Sequence, residues 1–373
     1  MPPVPAALRR GSFFAAVALL AAAGHAQIQR IGDAVTGISS DGSAISGFGT
    51  IDGQIQMFRW TTATGLNPLG PGAAFDISRD GTTVVGNTFN GTVTRAARWT
   101  SSTGIVELGQ LPGGAAPGTL FSEAYDVSAD GSVIVGIADV TPSPGPPYRG
   151  FRWTADTGMT ALGELAGGNV FSQASAISAD GDTIVGLSNG AAGDRAVRWL
   201  GAGATALDMG LPPGRAGFTE AKHISNDGNV VVGVWGNGFE NEAFRWTAAT
   251  GYQMLGDLPG GILDSVATAT NADGSVIVGT GNPGDTVPDE PFYWTAATGL
   301  RSFRDVLTDN NIDFSDWLRF VELRDLSDDG TILIGNGILN DGSPAGFRVV
   351  IPSPAGAIAF TAASALTLLR RRR

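Results

Sequence analysis

The sequence predicts an all-β protein: a seven-bladed β-propeller of four-stranded blades, its ring closed by the N-terminal strand. Three observations carry the prediction. Asp-Gly pairs begin at Asp41, Asp80, Asp130, Asp180, Asp227, Asp273 and Asp329, at spacings of 39, 50, 50, 47, 46 and 56 residues. Each pair joins two strand-like runs, and an aromatic-Arg-Trp strand follows 17 to 21 residues later. With 55 Gly and 20 Pro among 373 residues and 43% apolar content, the chain can bury a large core while being cut repeatedly by turns. Self-similarity at this period, in units made only of short strands and turns, indicates a radial array rather than a sandwich or an α/β fold.

The third unit shows why each element forms. Glu123-Ala-Tyr-Asp-Val-Ser alternates as strand A and runs into Asp130-Gly131, a dipeptide that tolerates positive φ and closes a tight hairpin. Ser132-Val-Ile-Val-Gly136 is apolar at consecutive positions, as expected of a strand B buried on both faces, and Gly136 removes a side chain where the strand leaves the sheet. In strand C, Phe151 and Trp153 share one face and Arg152 points to the other. Six of the eight tryptophans occupy this one repeat position, which makes Trp153 and its equivalents elements of interblade packing rather than a ligand platform. A partly buried guanidinium needs carboxylate or carbonyl oxygens, so the repeated Arg, Arg152 here, is expected to pair with the turn Asp of its own or the next blade, Asp130 among them. Strand D follows a Thr-Gly turn such as Thr157-Gly158.

The seventh unit lacks strand D. Gln29-Arg30-Ile31-Gly32 carries the missing pattern at the other end of the chain, so the N-terminal strand is expected to complete the last blade and leave no free sheet edge.

Both ends carry addresses. Residues 1–26 read as a removable secretory signal: Arg9 and Arg10, an apolar run from Phe13 to Ala23, and Gly24-His25-Ala26 as a small-x-small cleavage site. Residues 27–350 form the propeller. Residues 351–373 form a C-terminal segment in which Pro352, Ser353 and Pro354 precede an uncharged run from Ala355 to Leu369 and then Arg370 to Arg373. That run is shorter than the roughly 20 residues of a spanning helix, which favours transient membrane association during processing over a permanent anchor.

Outside the two addresses, 17 basic residues face 35 acidic ones, a balance that disfavours nucleic acid and anionic lipid as partners. The chain has no Cys, which excludes disulfides, thiolate nucleophiles and Cys-ligated metal.

In an up-and-down blade the A–B and C–D turns lie on one face of the disc, and the B–C and D–A connections on the other. The first pair is short and uniform here. The second varies, most of all at residues 138–148 and 282–290, and variable loops on a rigid scaffold are where binding is expected. Between the sixth and seventh units, Arg304 to Leu318 has apolar residues near helical spacing, suited to a short helix at the ring's edge. Asp309, Asn311 and Asp313 resemble the start of a calcium loop, but Phe314 replaces its Gly and Phe320 its bidentate Glu, so no metal site is assigned.

Two motifs mimic catalytic ones. Gly186-Leu-Ser-Asn-Gly190 matches a nucleophile elbow but leads into another strand, and its Ser188 would depend on His223, the one His outside the signal. His223 stands where the third unit has Asp126 and the fourth Ala176, and reads as a tolerated substitution. Gly279-Thr-Gly-Asn-Pro-Gly284 spells a dinucleotide pattern without the helix that would hold a pyrophosphate. No catalytic residue and no cofactor is assigned.

The unit Ile-Ser-x-Asp-Gly-x-x-Val-Val-Gly, then Phe-Arg-Trp, then Leu-Gly-x-Leu-Pro-Gly-Gly resembles the HAF-type extracellular repeat of bacterial surface proteins. Val127 to Gly131, Gly150 to Trp153 and Leu255 to Gly261 carry the resemblance, which covers residues 27–350. The tail from Pro352 to Arg373 is similar to a PEP-CTERM sorting signal, with Ser353 in place of the usual Glu. That resemblance implies export, trimming by an exosortase-type membrane protease, and a fate at the cell surface or in the extracellular polysaccharide.

The resulting expectation is an exported surface or matrix protein without catalysis of its own, binding a glycan, an extracellular polysaccharide or a surface protein. The alternative is a polysaccharide-acting hydrolase or lyase using carboxylates on the variable-loop face. An acidic cluster around the central channel at glycosidase spacing would favour the alternative; a channel of small and apolar residues would favour binding.

Overall fold

The computed structural model describes residues 28–352 apart from 90, 113–120, 141–147, 204 and 285–288. The secretory signal, Ser353 and Pro354 of the sorting motif, and much of the loops at 138–148 and 282–290 lie outside the described residues.

Seven four-stranded antiparallel sheets form the blades of a propeller. In the third blade Ser122–Val127, Val133–Asp139, Tyr148–Thr154 and Gly158–Ala161 pair in sequence order. The seventh blade takes Trp317–Leu326, Ile332–Leu339 and Pro344–Val350 from the chain's end and its fourth strand, Gln29–Arg30, from the beginning. Gln29 faces Arg348 and Arg30 faces Phe347, and Ile31 N donates to Gly346 O at 2.8 Å, so the ring closes as the sequence predicts. The helix between the sixth and seventh blades is one short segment, Phe303–Asp309, which buries Phe303, Val306 and Leu307 against the seventh blade's aromatic core.

All seven turn glycines have positive φ; Gly131, for example, lies at 74°. The turn carboxylates serve their own hairpins. Asp130 Oδ1 accepts from Ser128 Oγ and from Ser132 N, both at 2.9 Å, and Ser128 Oγ in turn accepts from Val133 N at 3.0 Å. The same motif recurs from Asp41 to Asp329.

This corrects the expected Arg–Asp pairing. Asp130 and Arg152 form no ion pair. The repeated Arg instead reaches the next blade through a carbonyl or a ring: Arg59 Nε donates to Gly81 O at 2.7 Å, Arg348 Nε to Gly42 O at 3.3 Å, and Arg98 stacks 4.8 Å above the Trp153 ring. A guanidinium over an indole face gains electrostatically without requiring a carboxylate. Trp153 is buried with Val85, Ala96 and Leu108 of the second blade, as an interblade packing element should be.

The turn hydrogen bonds hold all seven turn carboxyls below the usual carboxylate range, led at Asp130 and Asp41 by the adjacent Ser132 and Ser43. A lowered folded-state pKa favours the native state above the unfolded value and loses that contribution as pH falls through the folded one. The melting temperature should therefore fall progressively below about pH 4, and Asp130→Asn should soften that fall; a flat profile from pH 4 to pH 2 would contradict this use of the turn carboxylates.

One feature of strand A sets up the interior. Every blade has a β-bulge there, between Ala124 and Asp126 in the third and at the equivalent position in the other six. Gly136 is accordingly not at a strand exit, as the sequence suggested, but within Val133–Asp139 opposite the bulge, where an added Cβ would lie 3.0 Å from Ala124 Cα.

Candidate active site

A bulge places two consecutive side chains on one side of a strand. Phe75 and Asp76, Tyr125 and Asp126, Lys222 and His223, and Arg324 and Asp325 are such pairs, and all eight side chains line one cavity of about 540 Å³ along the propeller axis. This lies within the roughly 300–1,000 Å³ usual for ligand sites.

The cavity is closed at the Asp-Gly turn face. Seven backbone hydrogen bonds link each blade's turn to the next: Ser40 N to Arg79 O, Asp80 N to Ala129 O, Ala129 N to Ala179 O, Ala179 N to Asn226 O, Asn226 N to Ala272 O, Ala272 N to Asp328 O and Asp328 N to Ser40 O, at 2.9 to 3.3 Å. Side chains reach across this ring. Asn226 Nδ2 donates to Asp328 Oδ1 at 2.9 Å, and Arg79 Nη1 lies 3.7 Å from the same oxygen and donates to Leu326 O at 3.3 Å. The cavity opens toward the face that carries the variable connections.

Above this floor stand Asp76, Asp126, His223 and Asp325, all at one repeat position, where the other blades have Gly37, Ala176 and Ala269. Three of the four tie their blade to the next. Asp126 Oδ2 accepts from Ile177 N at 2.7 Å, Asp325 Oδ2 from Ile38 N at 3.2 Å, and His223 Nδ1 from Thr270 N at 3.4 Å. Asp76 differs: its carboxyl has no such backbone tie and lies beside that of Asp126. It sits against Gly37, where a Cβ would collide with Asp76 Oδ1.

The electrostatics follow from burial and proximity. Desolvation and then the neighbouring Asp126 push the Asp76 carboxyl well above the usual range. Burial also raises Asp325, with Arg79 opposing. Against the penalty of its own burial, Arg79 is held charged by Asp325, Asp76 and Asp328. Desolvation and Arg79 lower His223 to about 4, so its imidazole is neutral at pH 7. With Nδ1 accepting from Thr270, the remaining proton is assigned to Nε2. The site thus gathers three aspartate carboxyls, a neutral imidazole and an arginine around one space.

At the mouth the Phe75 and Tyr125 rings lie 5.9 Å apart. Lys222 Nζ pairs with Glu220 at 2.6 Å and Arg324 with Glu322 at 3.3 Å, while Tyr125 OH donates to Glu123 at 3.1 Å. Among the described residues, no group of three or more His, Asp and Glu is arranged to hold a metal ion.

Of the residues singled out from sequence, Asp130, Gly131, Arg152 and Trp153 lie in the blades and their turns, away from the channel. His223, read as a tolerated substitution, lines it instead. Ser188 is fully buried within Thr183–Gly190, its Oγ accepting from Leu165 N at 3.1 Å, and is no nucleophile elbow. Ser188→Ala should cost about 1–3 kcal/mol in urea unfolding by stranding that N–H, with catalytic rate unchanged; a collapse of activity in the folded variant would contradict this placement. The sequence reading missed Asp76 and Asp325. The signal that finds them is the residue before Ile/Val/Leu-Ser in strand A, or before Thr270-Asn271 in the sixth unit, small in three units and ionisable in the other four.

No family model matches the chain, and no curated protein matches it. Solved structures share the fold. They include an oligogalacturonate lyase in complex with manganese, 16% identical with a TM-score of 0.55 over 85% of this chain and 88% of that one. An oligogalacturonate lyase from Vibrio parahaemolyticus is 12% identical, TM-score 0.57, over 87% and 91%. A puromycin hydrolase is 14% identical, TM-score 0.56, over 86% of this chain and 52% of its own. At these identities the likeness shows the fold alone.

The expectation of a surface protein without catalysis is corrected by two findings together. These similar propellers are named as enzymes, and the central channel is lined by acidic rather than only small and apolar side chains.

Proposed function

We propose that this chain is an exported enzyme, a hydrolase or lyase acting on a polysaccharide through the carboxyl groups at the floor of its central channel. The observation that carries the reading is Asp76, a carboxyl that faces the cavity, is not committed to holding the backbone, and whose charged form burial and Asp126 disfavour. A carboxyl with a raised pKa among others in different surroundings is the arrangement from which acid and base roles are divided. Asp76 serves as proton donor to a leaving oxygen, and Asp325 as the carboxylate that takes up a proton. His223, neutral, offers its Nε2–H to substrate oxygen. Arg79 holds the carboxylates in place from the closed end.

The similar propellers named as oligogalacturonate lyases support a polysaccharide-derived substrate, and the one named as a puromycin hydrolase supports hydrolytic use of the scaffold. The resemblance to a HAF-type repeat and to a PEP-CTERM tail supports a location at the cell surface or in the extracellular polysaccharide, with trimming near Pro352, Ser353 and Pro354 by an exosortase-type protease. Among the described residues, no helix is long and apolar enough to cross a membrane.

The test is to incubate the purified chain with cellulose, xylan, chitin, α-glucan and polygalacturonate and to follow new reducing ends and unsaturated products. Cleavage of at least one polymer, lost in Asp76→Asn, is expected. No cleavage of any would contradict the reading.

A further inference from the structure

The proposed active site is blind at one end, and its charges are already matched; both facts constrain what it accepts. A polymer strand cannot thread a channel whose turn face is sealed by seven backbone hydrogen bonds and crossed by Arg79, Asn226 and Asp328. The carboxyl groups stand directly above that seal, so a scissile bond reaches them only near a chain terminus. A cavity of about 540 Å³ has room for a short terminal segment and no more.

Removal of a uronate by elimination requires a free cation to neutralise the sugar carboxylate before the adjacent C–H is deprotonated. Among the described lining residues, no side-chain cation is uncommitted. Lys222 is bound to Glu220, Arg324 to Glu322, and Arg79 lies beside Asp328 beneath the acidic cluster. The same lining suits uncharged hydroxyl-rich rings. Gln173, Ser175 and Thr268 alternate donors and acceptors, and the Phe75–Tyr125 pair offers an aromatic face to sugar C–H groups.

We infer that the enzyme hydrolyses neutral glycans from a chain end, the terminal sugars entering the mouth end-on and stopping against the Arg79–Asp328 floor. This inference rests on the catalytic reading given above. In the reaction, the bond between the anomeric carbon and the glycosidic oxygen breaks as Asp76 gives that oxygen its proton. The oxygen of a water molecule bonds to the anomeric carbon, and the water's proton passes to the Asp325 carboxylate on the other side of Gly37. Asp325 then releases that proton to solvent and Asp76 regains one, so one water is consumed and no other co-reactant is needed.

The experiment uses the full chain with ladders of cello-, xylo-, malto- and chito-oligosaccharides and with oligogalacturonides, each free and capped at either end, and reads products by mass spectrometry. The expected result is stepwise release of one short product from a neutral ladder, abolished by capping one end and unaffected by capping the other. Internal fragments from doubly capped chains, or faster release from oligogalacturonides than from every neutral ladder, would overturn the inference while leaving the catalytic reading standing. If no ladder is shortened, the catalytic reading falls and the inference with it.

Discussion

Arg79→Met is expected to destabilise the propeller by roughly 3–5 kcal/mol at pH 7, the usual loss when one partner of a buried charge cluster is removed. The Arg79 side chain is only 15% exposed, and it is the cation against which Asp325 and Asp328 are balanced. Methionine keeps much of the stem's volume but leaves those carboxyls facing one another at the floor of the channel. Urea unfolding measures the loss. It should shrink on mild acidification, because protonating Asp325 relieves the repulsion, and in the Arg79→Met/Asp328→Asn double variant. A loss below about 1 kcal/mol would mean that the cluster is already discharged without Arg79.

Asp76→Asn is expected to move stability and activity in opposite directions. Asparagine copies the shape of the protonated carboxyl and can still donate to Asp126, but it has no proton to transfer. Activity should fall about 10²- to 10⁴-fold, the range associated with general acid–base groups. Stability at pH 7 should rise. A carboxyl whose folded-state pKa is raised opposes folding at neutral pH, and the native state gains stability as pH falls through that value. Replacing it removes the opposition, an upward shift on the order of 1–2 °C in melting temperature if the effect is about 1 kcal/mol in a domain of this size. The wild type should accordingly be most stable on the acidic side of neutrality, above the window where the turn carboxylates protonate. In Asp76→Asn the rise from pH 7 toward that maximum should flatten. Lower stability together with unchanged activity would assign Asp76 a structural role.

The opposed effects distinguish the two sets of aspartates. Asp130 and its six equivalents are tied into their own hairpins, and their ionised form favours the fold. Asp76 gains nothing comparable from the backbone, and strain of that kind persists where it serves function.

The architecture was legible because it is written seven times. The spacing of Asp41 to Asp329, the Phe-Arg-Trp strand and the stray strand pattern at Gln29 to Gly32 each follow from local turn chemistry and period-2 alternation, and the ring closes as they imply. The site was not legible for a related reason. It lies where the repeats disagree, at Gly37, Asp76, Asp126, Ala176, His223, Ala269 and Asp325, and a reading that averages over units discards those positions. Period-2 alternation also misleads there, because it sends Tyr125 and Asp126 to opposite faces, whereas the bulge between Ala124 and Asp126 brings both to the channel. The partner of the repeated Arg was missed for a simpler reason: a guanidinium accepts a carbonyl oxygen or an indole face as readily as a carboxylate, and only geometry decides among them.

The account depends on Asp76 keeping its proton at neutral pH. Difference infrared spectroscopy of the wild type against Asp76→Asn, titrated from pH 4 to pH 8, tests this most directly. The account predicts a protonated-carboxyl band that is present at pH 7 and absent from the variant. A band that disappears near pH 4, as for an ordinary aspartic acid, would contradict it.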